Sequence, residues 1–176
     1  YELGGAANVA NNVTDLGAGS VEVFGVIGDD PFGRELSLQL SQRGMYTDGL
    51  VIQASDWDTH VFGKPHLEGE EENRIDFGML NAPSRETQAE LVRRFEQRLP
   101  ELDAVVINQQ VRHSFYTPEA LADLNRIIAA NPEKVFVVDS RDCSSAFRKT
   151  HLKINQVEAA RMAGVEVVWA ANHWPD

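Results

Sequence analysis

Three groups of residues in this 176-residue chain have the types and spacing to handle a small polar ligand. The first is Gly4, Gly5 and Asn8, in the opening run "ELGGAANVANNVTDLG". Glycines without a Cβ let a ligand approach the backbone, a helix starting there offers amides without intrahelical partners, and a carboxamide both donates to and accepts from hydroxyls. That combination suits a polyol, although the same glycines would equally serve a tight turn from which a helix packs closely on its sheet. The second is Asp139 with Arg141, at and just beyond the end of "KVFVVD", where the guanidinium can pair with a phosphate. The third is Thr59, Arg74 and Asp76, in a stretch without helical periodicity, where they either project onto a ligand or, for Arg74 and Asp76, form an ordinary surface ion pair.

Other chemistries find no support in the residues. The five histidines, His60, His66, His113, His151 and His173, show no metal-site spacing, and Cys143 is the single cysteine, so neither a hydrolytic metal centre nor an internal disulfide is expected. Neither a G-x-S-x-G elbow nor a G-x-G-x-x-G fingerprint is present. With 16 Lys and Arg against 27 Asp and Glu, the net charge of -11 repels a phosphate backbone and argues against nucleic acid. No apolar run reaches the length of a membrane span or signal peptide, and a reducing cytoplasm is the compartment that fits.

These residues must be positioned by alternating strands and helices. Val9, Val13 and Leu16 recur at helical spacing and the helix stops at Gly17; "VEVFGVIG" (Val21–Gly28) reads as a strand buried on both faces. Asp30 and Pro31 start a helix with Phe32, Leu36 and Leu40 inward, ending near Gly44. Ser84 starts another, with Leu91, Val92, Phe95 and Leu99 on one face; "LDAVVIN" (Leu102–Asn108) is a strand. Thr117 and Pro118 start a third, with Leu121, Leu124 and Ile128 inward, and Lys134–Asp139 is the next strand. A short helix over about Gln156–Ala163 and a strand "VEVVWA" over 165–170 follow, and Trp169 and Trp174 read as core or interface. This is a three-layer α/β domain with a mainly parallel sheet.

One stretch interrupts the alternation. From Leu50 to Met79 the pieces "LVIQ", "THVFGK" and "NRIDFGM" predict a small antiparallel flap, with the acidic run Glu70–Glu72 as a solvated turn at its tip. The expected organisation is therefore an α/β body over 1–49 and 80–176 with a β lid over 50–79.

Two separated segments resemble the PfkB or ribokinase-like carbohydrate kinases: "GGAANVANNVTDLG" with "VFGVIGDDPFGRELSLQLSQRGMYTDG", and "KINQVEAARMAG", which is similar to the family's Asn-x-x-Glu segment. Within the family the look is closest to the bacterial heptose-phosphate kinases, whose lid segment is matched here by "RIDF". The resemblance implies a ribokinase-like α/β/α sandwich with a β-sheet lid, incomplete at both ends, and ATP-dependent phosphoryl transfer to a hydroxyl of a sugar or sugar phosphate. It implies sugar contacts from Gly4, Gly5 and Asn8. It also implies that Asn155 and Glu158 organise magnesium and the transferring phosphates through water, with Glu158 the metal-side carboxylate, as befits a cation that keeps several waters; on residues alone the pair reads as a helix cap and a first-turn carboxylate. Gln109, with Gln110, stands at the strand end where the heptose branch has an acidic residue and glycines, and Ser140 and Arg141 stand where it has Pro-Lys; Gln109 and Arg141 are the substrate contacts expected there.

The resemblance also implies a Gly-Ala-Gly-Asp segment carrying the anion hole and the base, and none occurs in this sequence. The expectation is accordingly a piece of a kinase without its catalytic end, inactive in phosphoryl transfer, with a lid able to pair two copies as a homodimer; the alternative is a non-catalytic sugar- or nucleoside-binding protein of the same fold.

Overall fold

The computed structural model describes residues 1–112 and 114–165. In chain order the elements are α1 (Gly5–Asp15), β1 (Gly25–Gly28), α2 (Pro31–Gln42), β2 (Leu50–Gln53), β3 (Val61–Gly63), β4 (His66–Leu67), β5 (Glu70–Glu71), β6 (Ile75–Phe77), α3 (Arg85–Arg98), β7 (Ala104–Gln109), α4 (Pro118–Ala130), β8 (Val135–Ser140), β9 (His151–Leu152) and α5 (Gln156–Ala163).

The helix starts follow from local chemistry. Asp30 accepts the Gly33 N–H at 2.8 Å, Ser84 the Thr87 N–H at 3.0 Å and Thr117 the Ala120 N–H at 3.2 Å, each satisfying an amide that the first turn leaves without a partner. Pro31 and Pro118 occupy first-turn positions where no N–H is needed. After α2, Gly44 takes a positive φ of 78°, which ends the helix without the penalty a side chain would incur.

Two parallel sheets form the body. β1 pairs with β2 in the register Gly25 to Leu50, and β7, β8 and β9 pair in that order with Ala104 opposite Val135. Beneath the second sheet Val92, Phe95 and Leu99 of α3 and Leu124, Ile127 and Ile128 of α4 pack against Ile107, Phe136 and Val138. A separate apolar cluster joins Ala7 of α1 to Leu40 and Met45, with Val23 and Leu50 against it. Full burial of a side chain such as Leu40 stabilises the fold by about 1.5–3 kcal/mol.

Several boundaries differ from the sequence expectation. Leu16 is 88% exposed, because α1 ends at Asp15 and Leu16 caps it before Gly17 turns the chain at φ 91°. The strand expected over Val21–Gly28 is regular only from Gly25, with Glu22 and Val23 reaching Tyr46 through an isolated parallel bridge and a 2.9 Å hydrogen bond. "LVIQ", expected in the flap, is β2 of the body, where the Arg94 guanidinium holds the Asp48 and Leu50 carbonyls at 2.8 Å. The flap thus lies beyond Gln53: β3 pairs antiparallel with β6, and β4 with β5. Its tip is Glu68–Gly69, both at positive φ, and Glu70–Glu71 form the returning arm rather than the turn. The strand expected over 165–170, Trp169 and Trp174 lie outside the described residues beyond Val165.

Candidate functional site

The segment that leads into α1 starts, at Tyr1, where the flap meets the body. A row of rings marks the junction: Tyr1 meets Phe32 edge-on with centroids 6.2 Å apart, and Phe32 meets Phe77 of the flap at 5.2 Å. Gly4 is extended and Gly5 has a φ of 51°, so the chain enters α1 through a conformation that favours glycine. A Cβ at either position would meet nothing within 4 Å, which removes the close helix-on-sheet packing reading of these glycines and leaves the backbone open. No side chain caps α1 and its first turn carries no acidic residue; the Ala7 and Asn8 N–H groups donate to the Gly4 carbonyl at 3.1 and 3.4 Å, which leaves the Gly5 and Ala6 amides as donors. Asn8 is exposed, and its carboxamide has no hydrogen-bond partner among the described residues.

Thr59 does not project onto a ligand. It is 4% exposed; its hydroxyl accepts the Gly28 N–H at 2.9 Å and its own N–H donates to Asp30 Oδ2 at 2.8 Å. Burial pushes the Asp30 carboxyl upward, but the N–H bonds from Thr59 and Gly33 outweigh it and hold the group below its ordinary value. The clamp works at close quarters, since a Cβ on Gly33 would lie 2.5 Å from the Gly28 carbonyl and 2.9 Å from Thr59 Oγ1. Sequence reasoning saw Asp30 only as a helix cap; the flanking Gly28 and Gly33 were the available signal of a crowded junction.

Arg74 and Asp76 take the ion-pair alternative. Arg74 Nε and Nη2 bind the two Asp76 carboxylate oxygens at 2.6 and 2.8 Å, and the guanidinium lies 4.4 Å from the centre of the Phe62 ring. The pair raises the arginine above its ordinary value and keeps it positive on the flap surface.

At the carboxyl ends of β7 and β8, Gln109 organises rather than contacts. It is 4% exposed, and its Oε1 accepts from Ser140 Oγ at 2.8 Å and from the Arg141 and Asp142 N–H groups at 3.0 Å. Its Nε2 donates to the Val111 carbonyl at 2.8 Å and to Asp142 Oδ2 at 3.1 Å. With the whole carboxamide committed, Gln109 cannot serve as the expected ligand contact, but it fixes Arg141, which is exposed and donates to Gln110 at 2.9 Å. Asp139 is bound to Lys153 at 3.0 Å.

Asn155 and Glu158 form a reciprocal cap. Asn155 Oδ1 accepts the Val157 and Glu158 N–H groups at 2.9 Å, and Glu158 Oε2 accepts the Asn155 N–H at 2.9 Å. Among the described residues no three His, Cys, Asp or Glu side chains gather as a metal centre. A carboxylate held at one oxygen by a backbone amide fits contact with a hydrated cation and not direct ligation by a protein cage.

A parallel α/β body carrying a small antiparallel β flap is the arrangement of the ribokinase-like sugar kinase fold. The chain aligns with a sugar kinase structure from Clostridium perfringens at a TM-score of 0.64 and 15% identity, over 96% of this chain and 52% of that one. It aligns likewise with Xylella fastidiosa fructokinase with bound ATP, at a TM-score of 0.56 and 19% identity, over 83% of this chain and 43% of that one. The sequence matches the pfkB family carbohydrate kinase profile over residues 1–173, and the chain belongs to that family. It is 36% identical over 171 residues to the Bifunctional protein HldE of Caulobacter sp. (strain K31), covering 93% of this chain and 32% of that protein. The chain spans about a third of the length of the curated relatives it matches.

Proposed function

We propose that this chain is the sugar-binding side of an ATP-dependent carbohydrate kinase whose acceptor is a sugar phosphate of the heptose class. The observation that carries the reading is the exposed Asn8 on the uncapped, open-backboned start of α1, seven residues after Tyr1, whose ring packs on Phe32 and through it toward Phe77 of the flap. Gly4 and Gly5 would admit the sugar to the backbone, Asn8 would bridge two hydroxyls, and the flap would close over them and exclude water. Arg74 would turn from Asp76 to the sugar's phosphate, with Arg141 a second guanidinium at the strand ends. Family membership and the ATP-bound fructokinase neighbour support ATP as the donor. Magnesium would arrive on the triphosphate, neutralising charge as it transfers, with Glu158 receiving the hydrated shell through water.

The flap would also supply a contact between copies: β3 and β6 pair only with one another among the described residues, and Phe62 and Ile75 are about half exposed. A reducing cytoplasm suits the single half-buried Cys143. The test is sugar-phosphate-dependent ATP turnover by the full-length gene product, with Asn8→Ala as the diagnostic variant. A rise in KM for the sugar supports the reading, and an unchanged KM removes Asn8 from the site.

A further inference from the structure

The flap joins the body through two legs, residues 54–60 going out and residues 78–84 coming back. Near the body they are laced together by two buried carboxamides, Gln53 and Asn81. Gln53, at the end of β2, donates from Nε2 to the Ser55 carbonyl at 2.7 Å and the Ala82 carbonyl at 2.9 Å, and its Oε1 accepts the Ser84 N–H at 2.9 Å. One side chain thus holds both legs and the start of α3. Asn81 adds a second rung: its Oδ1 accepts the Asp58 N–H at 2.9 Å and its Nδ2 donates to the Asp58 carbonyl at 2.8 Å. Between the rungs the Ala82 N–H donates to the Asp56 carbonyl at 3.0 Å, and Trp57 is buried.

Farther out the lacing stops. Among the described residues no hydrogen bond or ion pair joins residues 61–77 to the body: Lys64 pairs with Glu71, Arg74 with Asp76, and the Glu72 N–H donates to the Pro65 carbonyl, all within the flap. What meets the body is the ring of Phe77 against Phe32. The backbone of residues 78–80 makes no hydrogen bond among the described residues, and Leu80 is 90% exposed.

We propose that the flap turns on a waist formed by residues 78–80 and the facing His60, and that Gln53 and Asn81 are the positioning residues that keep this pivot out of the flap's root. Bending at the root would strip partners from several buried amides and carbonyls at once, whereas bending at the waist breaks no hydrogen bond of residues 78–80. A pivot is a few element-terminal residues that absorb the change in φ and ψ, and Gly78 directly follows β6 with a φ of 75°. The legs also come closest there, since a Cβ on Gly78 would lie 2.8 Å from the Asp58 carbonyl and 3.2 Å from the His60 Cα. Arg74 and Asp76 therefore travel with the flap, while Thr59, tied to Asp30 and Gly28, stays with the body. The inference holds whatever ligand the site takes.

Amide hydrogen exchange on the intact gene product, without ligand, reads where the pivot lies. The hydrogen-bonded amides of β3 and β6 should exchange at least about 100-fold faster than those of Asp58, Thr59, Ala82 and Ser84, and low urea should speed only the second group. Asn81→Leu keeps approximate volume and removes the second rung. In that variant fast exchange should spread inward to Asp58 and Ala82 and stop at Ser84, which Gln53 still holds, with the β3 and β6 rates within about twofold of native. Equal rates and equal urea dependence in the two groups would make flap and root one unit and overturn the proposal. So would fast exchange at Ala82 and Ser84 in the native protein, which puts the pivot at Gln53, or an Ala82 amide that stays protected in the variant, which removes Asn81 from the role. If the variant does not fold, the native profile decides alone.

Discussion

Asp30 and Thr59, 29 residues apart, are tied by one short circuit: the carboxylate accepts the Thr59 N–H at 2.8 Å, and the Thr59 hydroxyl accepts the Gly28 N–H at 2.9 Å. The circuit fixes the segment leading into the flap against the start of α2. The same carboxylate caps α2 through Gly33, so one residue both starts a helix and anchors the flap's root. Asp30→Ala should cost about 2–3 kcal/mol, more than an ordinary cap, because two N–H groups lose their partner at once. Urea unfolding of the two proteins measures it.

The pH dependence follows from the same group. Its folded value is held below 3.8, so its contribution is complete above about pH 4 and is lost as pH falls through the lowered folded value. The stability gap between the native protein and Asp30→Asn should therefore be constant from pH 7 to pH 5 and narrow below about pH 4. Urea midpoints for both proteins across that range show whether it does; a gap that widens in acid contradicts the assignment.

Gly33→Ala should destabilise by about 1–3 kcal/mol, although alanine is the better helix former. The added methyl has nowhere to go, since its nearest neighbours are the Gly28 carbonyl and the Thr59 hydroxyl at 2.5 and 2.9 Å. The variant's melting temperature should fall; a rise would mean that propensity outweighs the clash.

Gln109→Leu keeps approximate volume while removing five hydrogen bonds from the ends of β7 and β8. The Arg141 and Asp142 amides and the Ser140 hydroxyl lose the oxygen that holds them, at an expected total of about 2–4 kcal/mol. Denaturant unfolding reads the stability, and proteolysis after Arg141 reads the loosened loop. A variant as stable and as resistant as the native chain would show that Gln109 holds nothing.

Leu16→Ser should change stability by less than about 0.5 kcal/mol, whereas Leu40→Ala should cost about 2–5 kcal/mol. The two leucines are 88% and 0% exposed, and paired thermal melts test the contrast.

Much of the architecture was legible because its signals are local. Asp30 with Pro31, Ser84, and Thr117 with Pro118 announce helices by capping chemistry within four residues, and the structure starts α2, α3 and α4 there. Leu16 misled because helical spacing continues one residue past the last residue of α1, and periodicity does not register where the chain turns. "LVIQ" misled because four apolar-rich residues read alike as a lid strand or a body strand; only its pairing with β1 decides.

The candidate residues were legible as positions and not as side-chain surroundings. Gly4, Gly5 and Asn8 stand open where they were expected. Thr59 and Gln109 lie near the expected positions but face inward, each committed to backbone groups distant in sequence, which residue type cannot reveal. Asn155 and Glu158 satisfy the helix-cap reading outright through their reciprocal bonds. Any role toward a hydrated cation is additional to that cap.

The proposed function is that the chain presents a sugar to a phosphoryl donor. Its most direct test is ATP consumption by the intact gene product across a panel of sugars and sugar phosphates, the native protein beside Asn8→Ala. The account predicts turnover that requires one class of phosphorylated sugar, with kcat/KM for that sugar falling at least about tenfold in the variant, the loss of about 1.4 kcal/mol of transition-state binding. ATP turnover absent with every sugar, while the native protein still binds one of them, would contradict it and establish a binding protein in place of a kinase.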